Sequence, residues 1–124
     1  MKNIINWVVL PSIIFHRAVK FYSHLLDITP EITKLNGRSH AYFRQPDGST
    51  GVALTTKADN FKPGKGRGIL VYFNGGDDLN ILLSKVKKAG GQVLTTKTKA
   101  SDEIGYYAII FDTEGNKVGI HSRK

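Results

Sequence analysis

The sequence predicts an α+β fold of two tandem βαβββ modules, whose mixed sheets curve around a shared cleft. Three observations lead there. The second half of the chain repeats the first: Trp7 to Leu26 (WVVLPSIIFHRAVKFYSHLL) and Val71 to Gly90 (VYFNGGDDLNILLSKVKKAG) each run from an apolar strand through a break into an amphipathic helix. Both segments lead into strand pairs with matching turns, where Asp47-Gly48 corresponds to Glu114-Gly115. One helix covers only one side of a sheet, so the uncovered sides of the two modules are expected to enclose the cleft on a pseudo-twofold.

Each element has its own signal. Ile4 to Leu10 is an apolar, β-branched run bounded by Pro11-Ser12 and reads as a strand buried on both faces. Phe15, Ala18, Val19, Tyr22, Leu25 and Leu26 then recur at helical spacing, with Ser12 as the available N-cap. Asp27 to Lys34 and Arg38 to Gln45 read as strands around Asn36-Gly37, a dipeptide suited to a tight hairpin. A second turn at Pro46-Asp47-Gly48 leads back through Val52 and Leu54. The Pro/Gly-containing connection divides the single domain into module 1 at about 1–57, a linker at about 58–66 and module 2 at about 67–124.

In the second module, Ile69 to Phe73 is the counterpart of the first strand. Gly75-Gly76-Asp77-Asp78 breaks it and supplies an Asp N-cap, while Leu79, Leu82, Leu83 and Val86 form the apolar stripe of the helix. Gly90 ends that helix. Gln92 to Lys97, Tyr106 to Asp112 and Lys117 to His121 are the remaining strands.

Composition narrows the functional classes. The 124 residues are 40% apolar or aromatic, enough for one core, and include no cysteine, which removes disulfides, thiolate metal sites and a cysteine nucleophile. Asn6 and Pro11 interrupt the N-terminal apolar run, no small-residue cleavage site follows, and no stretch reaches the ~18 apolar residues of a membrane span. A soluble, cytoplasmic protein is the expectation. The formal charge of +8 comes from scattered lysines and arginines, with Lys85, Lys87 and Lys88 late in a helix where they oppose its dipole. A solvated basic surface accounts for them, and attraction of an anionic ligand or partner is the alternative.

Several pieces together point to a family. Arg17-Ala18-Val19-Lys20-Phe21-Tyr22 in the first helix, Val71-Tyr72-Phe73 before the second, Gly90-Gly91 after it and Phe111-Asp112-Thr113-Glu114-Gly115-Asn116 near the end occur in an order that resembles the vicinal oxygen chelate superfamily. That superfamily includes glyoxalase I, bleomycin-resistance proteins and extradiol dioxygenases. The resemblance implies a divalent metal held by His or Gln on the first strand of each module and Glu on the last, acting as a Lewis acid on a chelating substrate. Carried over, those positions fall at Trp7, Val71, Ala53 and Gly119. An indole N–H only donates, and Val, Ala and Gly have no side-chain ligand, so no metal cofactor is expected.

Alternation supports the placement. Val118 and Ile120 share one parity and should face the helix, with Lys117, Gly119 and His121 on the cleft side. Val52 and Leu54 likewise flank Ala53, which puts Gly51 and Thr55 on the cleft side. The expected pocket is apolar, roofed by Trp7, Val9, Ile69, Val71 and Phe73, floored by Ala53 and Gly119, and edged by Thr55, Lys117 and His121.

Catalytic machinery is harder to find. His16 and His24 lie roughly 12 Å apart along one helix, too far to chelate together. His40 has no identifiable partner. His121 is the candidate base, with a histidine that only hydrogen-bonds as the competing reading. No serine sits in a G-x-S-x-G context, and Gly64-Lys65-Gly66-Arg67-Gly68 lacks Walker spacing.

The expected function is therefore a glyoxalase/bleomycin-resistance-like protein with a degenerate metal site, binding a small organic ligand in the cleft, with a homodimer implied by the resemblance. Two alternatives stay open. One is a glyoxalase-like lyase or isomerase working without the usual metal. The other is a nucleic-acid module, which the basic surface suggests but which lacks the stacked-aromatic signature of RNA binders.

Overall fold

The computed structural model describes residues 4–58 and 61–124, and the chain divides at Pro63/Gly64 into two compact units. The first contains β1 (Trp7–Ser12), α1 (Phe15–Leu26), β2 (Glu31–Leu35), β3 (Arg38–Phe43) and β4 (Gly51–Thr56). The second contains β5 (Tyr72–Asn74), α2 (Asn80–Ala89), β6 (Gln92–Ser101), β7 (Gly105–Phe111) and β8 (Lys117–Ser122). Each is βαβββ. Their sheets have the same topology, β1-β4-β3-β2 and β5-β8-β7-β6, with the first strand parallel to the last and the other pairs antiparallel.

Even the last turn repeats. The Gly48 N–H donates to Gln45 O at 3.0 Å and the Gly115 N–H to Asp112 O at 3.4 Å, both glycines having positive φ. In the second unit, Asp112 locks this turn by accepting from the Glu114 and Asn116 N–H groups at 2.8 and 2.9 Å. The Asp-Thr-Glu-Gly-Asn motif thus has a backbone explanation: a buried carboxylate satisfies the amides of a tight five-residue turn between Phe111 and Lys117.

Alternation decides which side of each sheet meets its helix. Ala18, Phe21, Tyr22 and Leu25 are the buried stripe of α1, and the Tyr22 ring meets Phe43 of β3 at 6.3 Å. Phe43 pairs with Val52 and Ala41 with Leu54, so these residues form the helix side. In the second unit Val118 and Ile120 are buried on the side of Leu79, at the start of α2, as their parity predicts. The other side of each sheet, here called the helix-free face, carries Ala53 and Gly119.

Boundaries differ where local signals competed. Ser12 does not cap α1, because Pro11 and Ser12 extend β1 and the Ser12 hydroxyl donates instead to Thr55 O at 2.9 Å. Pro11 fits because β1 is an edge strand. Ile4 and Ile5, expected within a doubly buried strand, precede it and are exposed. Asp78 does provide a cap-like contact, accepting the Asn80 N–H at 3.0 Å, one residue ahead of the geometric N-cap Leu79. Gly90 ends α2 in the left-handed region at φ 102°, with its N–H donating to Lys87 O and that of Gly91 to Val86 O. The Asn36-Gly37 hairpin forms as expected, both residues having positive φ.

Candidate functional site

On the helix-free face of the first sheet, parallel pairing sets Trp7 beside Gly51, Val9 beside Ala53 and Pro11 beside Thr55. The antiparallel partners of Ala53 and Thr55 are Tyr42 and His40. Ala53 is fully buried, Thr55 is 4% exposed and Trp7 57% exposed. The Arg44 guanidinium sits 5.6 Å from the Tyr42 ring centroid and donates to Glu31 Oε2 at 2.8 Å, while the His40 ring stacks on the same tyrosine with centroids 6.2 Å apart. Trp7, Tyr42, Arg44 and Gly51 border a hollow of about 390 Å³.

The second sheet carries a larger one. A hollow of about 780 Å³, within the range of small-molecule sites, is lined by Tyr72, Asn74, Ala100, Ile104, Tyr107 and His121, with Arg123 at its edge. Pairing explains the grouping. Tyr72 stands beside Gly119 and Asn74 beside His121 in the parallel ladder, while Tyr107 stands opposite His121 in the antiparallel one. All therefore project from the same side.

Gly119 allows this. A Cβ there would run into the ring of Tyr72, so the small residue lets an aromatic side chain lie flat across the sheet. His121 is half-buried, and its Nε2 lies 2.6 Å from the carbonyl oxygen of Ile104. A carbonyl can only accept, so Nε2 carries a proton, and in the neutral imidazole Nδ1 is then the acceptor.

The remaining sequence-predicted residues are distributed as follows. Lys117 pairs with Phe111 on the helix-free face and is exposed. Ile69 precedes β5 and is 91% exposed, and Val71 contributes its carbonyl to the Gly119 N–H at 2.8 Å. Phe73 pairs with Ile120, which gives its side chain the helix-side parity and not the roof parity the sequence suggests, although the residue borders the hollow. The correction has a simple cause: two residues separate β1 from α1, but five separate β5 from α2. The repeat is therefore not in constant step, and carrying Trp7 forward to Val71 misses the register of β5 by one position, which reverses its faces. Tyr72 and Asn74 hold the parity that had been given to Val71 and Phe73. His16 and His24 are exposed on α1.

Tyr107, Ile104 and Asn74 were missed. Tyr107 was within reach, since counting outward from the Asp112–Asn116 turn sets it against His121. Ile104 approaches through a loop, and a three-residue strand is too short to show alternation around Asn74.

A divalent ion finds no donors at Trp7, Ala53, Val71 and Gly119: none has a usable side-chain lone pair, and the Tyr72 ring lies over the last of them. No group of three or more His, Cys, Asp or Glu residues suited to a metal occurs among the described residues.

The duplicated βαβββ topology defines a two-module α+β fold of the glyoxalase type. The chain belongs to the Glyoxalase/Bleomycin resistance protein/Dioxygenase superfamily, whose sequence profile matches residues 4–120. Similar solved structures share this fold at low identity. A glyoxylase/bleomycin resistance protein/dioxygenase domain from a Frankia species superposes with a TM-score of 0.79 at 17% identity, over 100% of this chain and 94% of that one. An antibiotic-binding protein from a Streptomyces species gives 0.71 at 19%, over 100% and 99%. Glyoxalase I from Zea mays gives 0.71 at 18%, over 95% of this chain and 44% of the maize chain. No curated protein matches in sequence. No helix among the described residues is long and apolar enough to cross a membrane.

Proposed function

We propose that this protein binds a small organic ligand on the helix-free face of its second sheet, without a divalent ion at the family's metal positions. The observation that carries this reading is the Tyr72 ring lying over Gly119 at the edge of a hollow of about 780 Å³. Where a metal enzyme needs a donor side chain, this chain presents aromatic surface, which binds by burial and stacking. The fold shared with the Streptomyces antibiotic-binding protein is consistent with binding as a sufficient activity. Pairing into a homodimer belongs to the same proposal and is read by sedimentation.

The test is fluorescence titration with 2-methoxynaphthalene, a flat apolar probe, against the native protein and an Ala100→Trp variant. Ala100 is exposed on the wall of the hollow, so the indole fills the site without disturbing the core. Saturable binding to the native protein, reduced at least tenfold in the variant, supports the reading. Absent binding, or equal binding to both, defeats it.

The His121–Ile104 contact favours a second reading, a metal-free lyase or isomerase. A neutral imidazole with Nε2 tied to a carbonyl has Nδ1 available as a proton acceptor. Turnover that rises with pH and disappears in His121→Ala would support this reading, whereas full activity in that variant would remove the base.

A further inference from the structure

We infer that the hollow of the second sheet selects ligands with a hydroxyl or N–H group on a planar ring, through a hydrogen bond to His121 Nδ1. The inference rests on the proposed ligand binding and names the ligand's chemistry.

The tautomer comes first. A neutral imidazole has one donor nitrogen and one acceptor nitrogen, and the Ile104 carbonyl claims the donor. Nδ1 has no protein partner among the described residues. A rotated ring would have to give up the 2.6 Å bond to Ile104, so the acceptor is held in place rather than free to choose.

The other polar groups of the hollow are complementary. Asn74 Oδ1 accepts the Gly76 N–H at 2.8 Å, which orients the amide and leaves its NH₂ to donate. Arg123, exposed at the edge, supplies positive charge. Among the described residues, no Asp or Glu lines the hollow. One acceptor, one amide donor and a nearby cation, set among the Tyr72 and Tyr107 rings and Ile104, match a phenol, enol or heteroaromatic N–H. Such a group donates to Nδ1, and its developing negative charge is favoured by Arg123. A cationic ligand would face the opposite balance.

The decisive comparison is 2-naphthol against 2-methoxynaphthalene, which share a ring system and differ in one donated proton. Native protein should bind 2-naphthol about tenfold or more tightly. In His121→Phe, which keeps a flat ring but removes the acceptor, the two probes should bind within about twofold of each other. Long-range proton–nitrogen NMR should show Nε2–H in the free protein and an upfield shift of Nδ1 when 2-naphthol is added. Equal affinity of the native protein for both probes overturns the hydroxyl selection while leaving ligand binding intact. Failure of both probes to bind overturns the inference and the ligand-binding reading together. Discrimination that survives in His121→Phe overturns the role of Nδ1.

Discussion

Tyr72 and Gly119 are register partners on adjacent parallel strands, and the tyrosine ring occupies the space that a Cβ on Gly119 would need. The two positions are therefore coupled: a side chain at 119 must displace the ring at 72. Gly119→Val should cost about 1–3 kcal/mol by overpacking. The Gly119→Val/Tyr72→Ala double variant should recover most of that loss. Urea denaturation of the four proteins in this cycle measures the coupling, and additive effects would contradict the observed overlap.

Metal addition should leave stability unchanged. An ion binding the native state at a hundred times its Kd would add about 2.7 kcal/mol, enough to raise Tm by several degrees in a chain of this size. Titration with Mn²⁺, Ni²⁺ or Zn²⁺ in differential scanning calorimetry is expected to show no saturable rise. A saturable one-ion increase would restore metal chemistry to this chain.

Ser12 should behave as a packing residue with one essential hydrogen bond. It is fully buried, and its hydroxyl donates to Thr55 O across the β1–β4 pair. Ser12→Ala removes the partner of a buried carbonyl and should cost about 1 kcal/mol. The urea midpoint should fall with an unchanged m-value, whereas a neutral effect would count against the bond.

Acid should weaken the start of α2. The Asp78 carboxyl is held below its ordinary pKa, first by the Asn80 N–H and then by Lys97, whose ammonium lies 2.9 Å away. A depressed folded pKa means that the contribution is present above the unfolded carboxylate pKa and is lost as pH falls through the folded value. The stability difference between the native protein and Asp78→Asn should therefore be largest near neutrality and shrink under acid. A difference independent of pH would show that the carboxylate charge plays no part.

Much of the architecture was legible because it rests on local chemistry expressed twice. Asn36-Gly37 and Gly90 mark backbone positions that need positive φ, and Ala18, Tyr22, Leu25 and Val86 lie on apolar helical stripes. Val118 and Ile120 announced their side of β8 by alternation alone. The first strand was read too early because its apolar run begins at Ile4, whereas pairing with β4 begins at Trp7. Apolar composition marks what can be buried, but strand limits follow from which neighbour supplies hydrogen bonds.

The sequence by itself determined the repeated βαβββ order and the family, since both depend on residue identity and short spacing. Tertiary structure decided which residues share a surface. Tyr72 replaced Val71 beside Gly119 because strand register is set by cross-strand pairing and differs with the length of a connecting loop. The Ile104 carbonyl reached His121 through a contact between residues 17 positions apart, and that contact fixed the imidazole tautomer. A proton's location depends on the partner in space, which spacing along a chain does not encode.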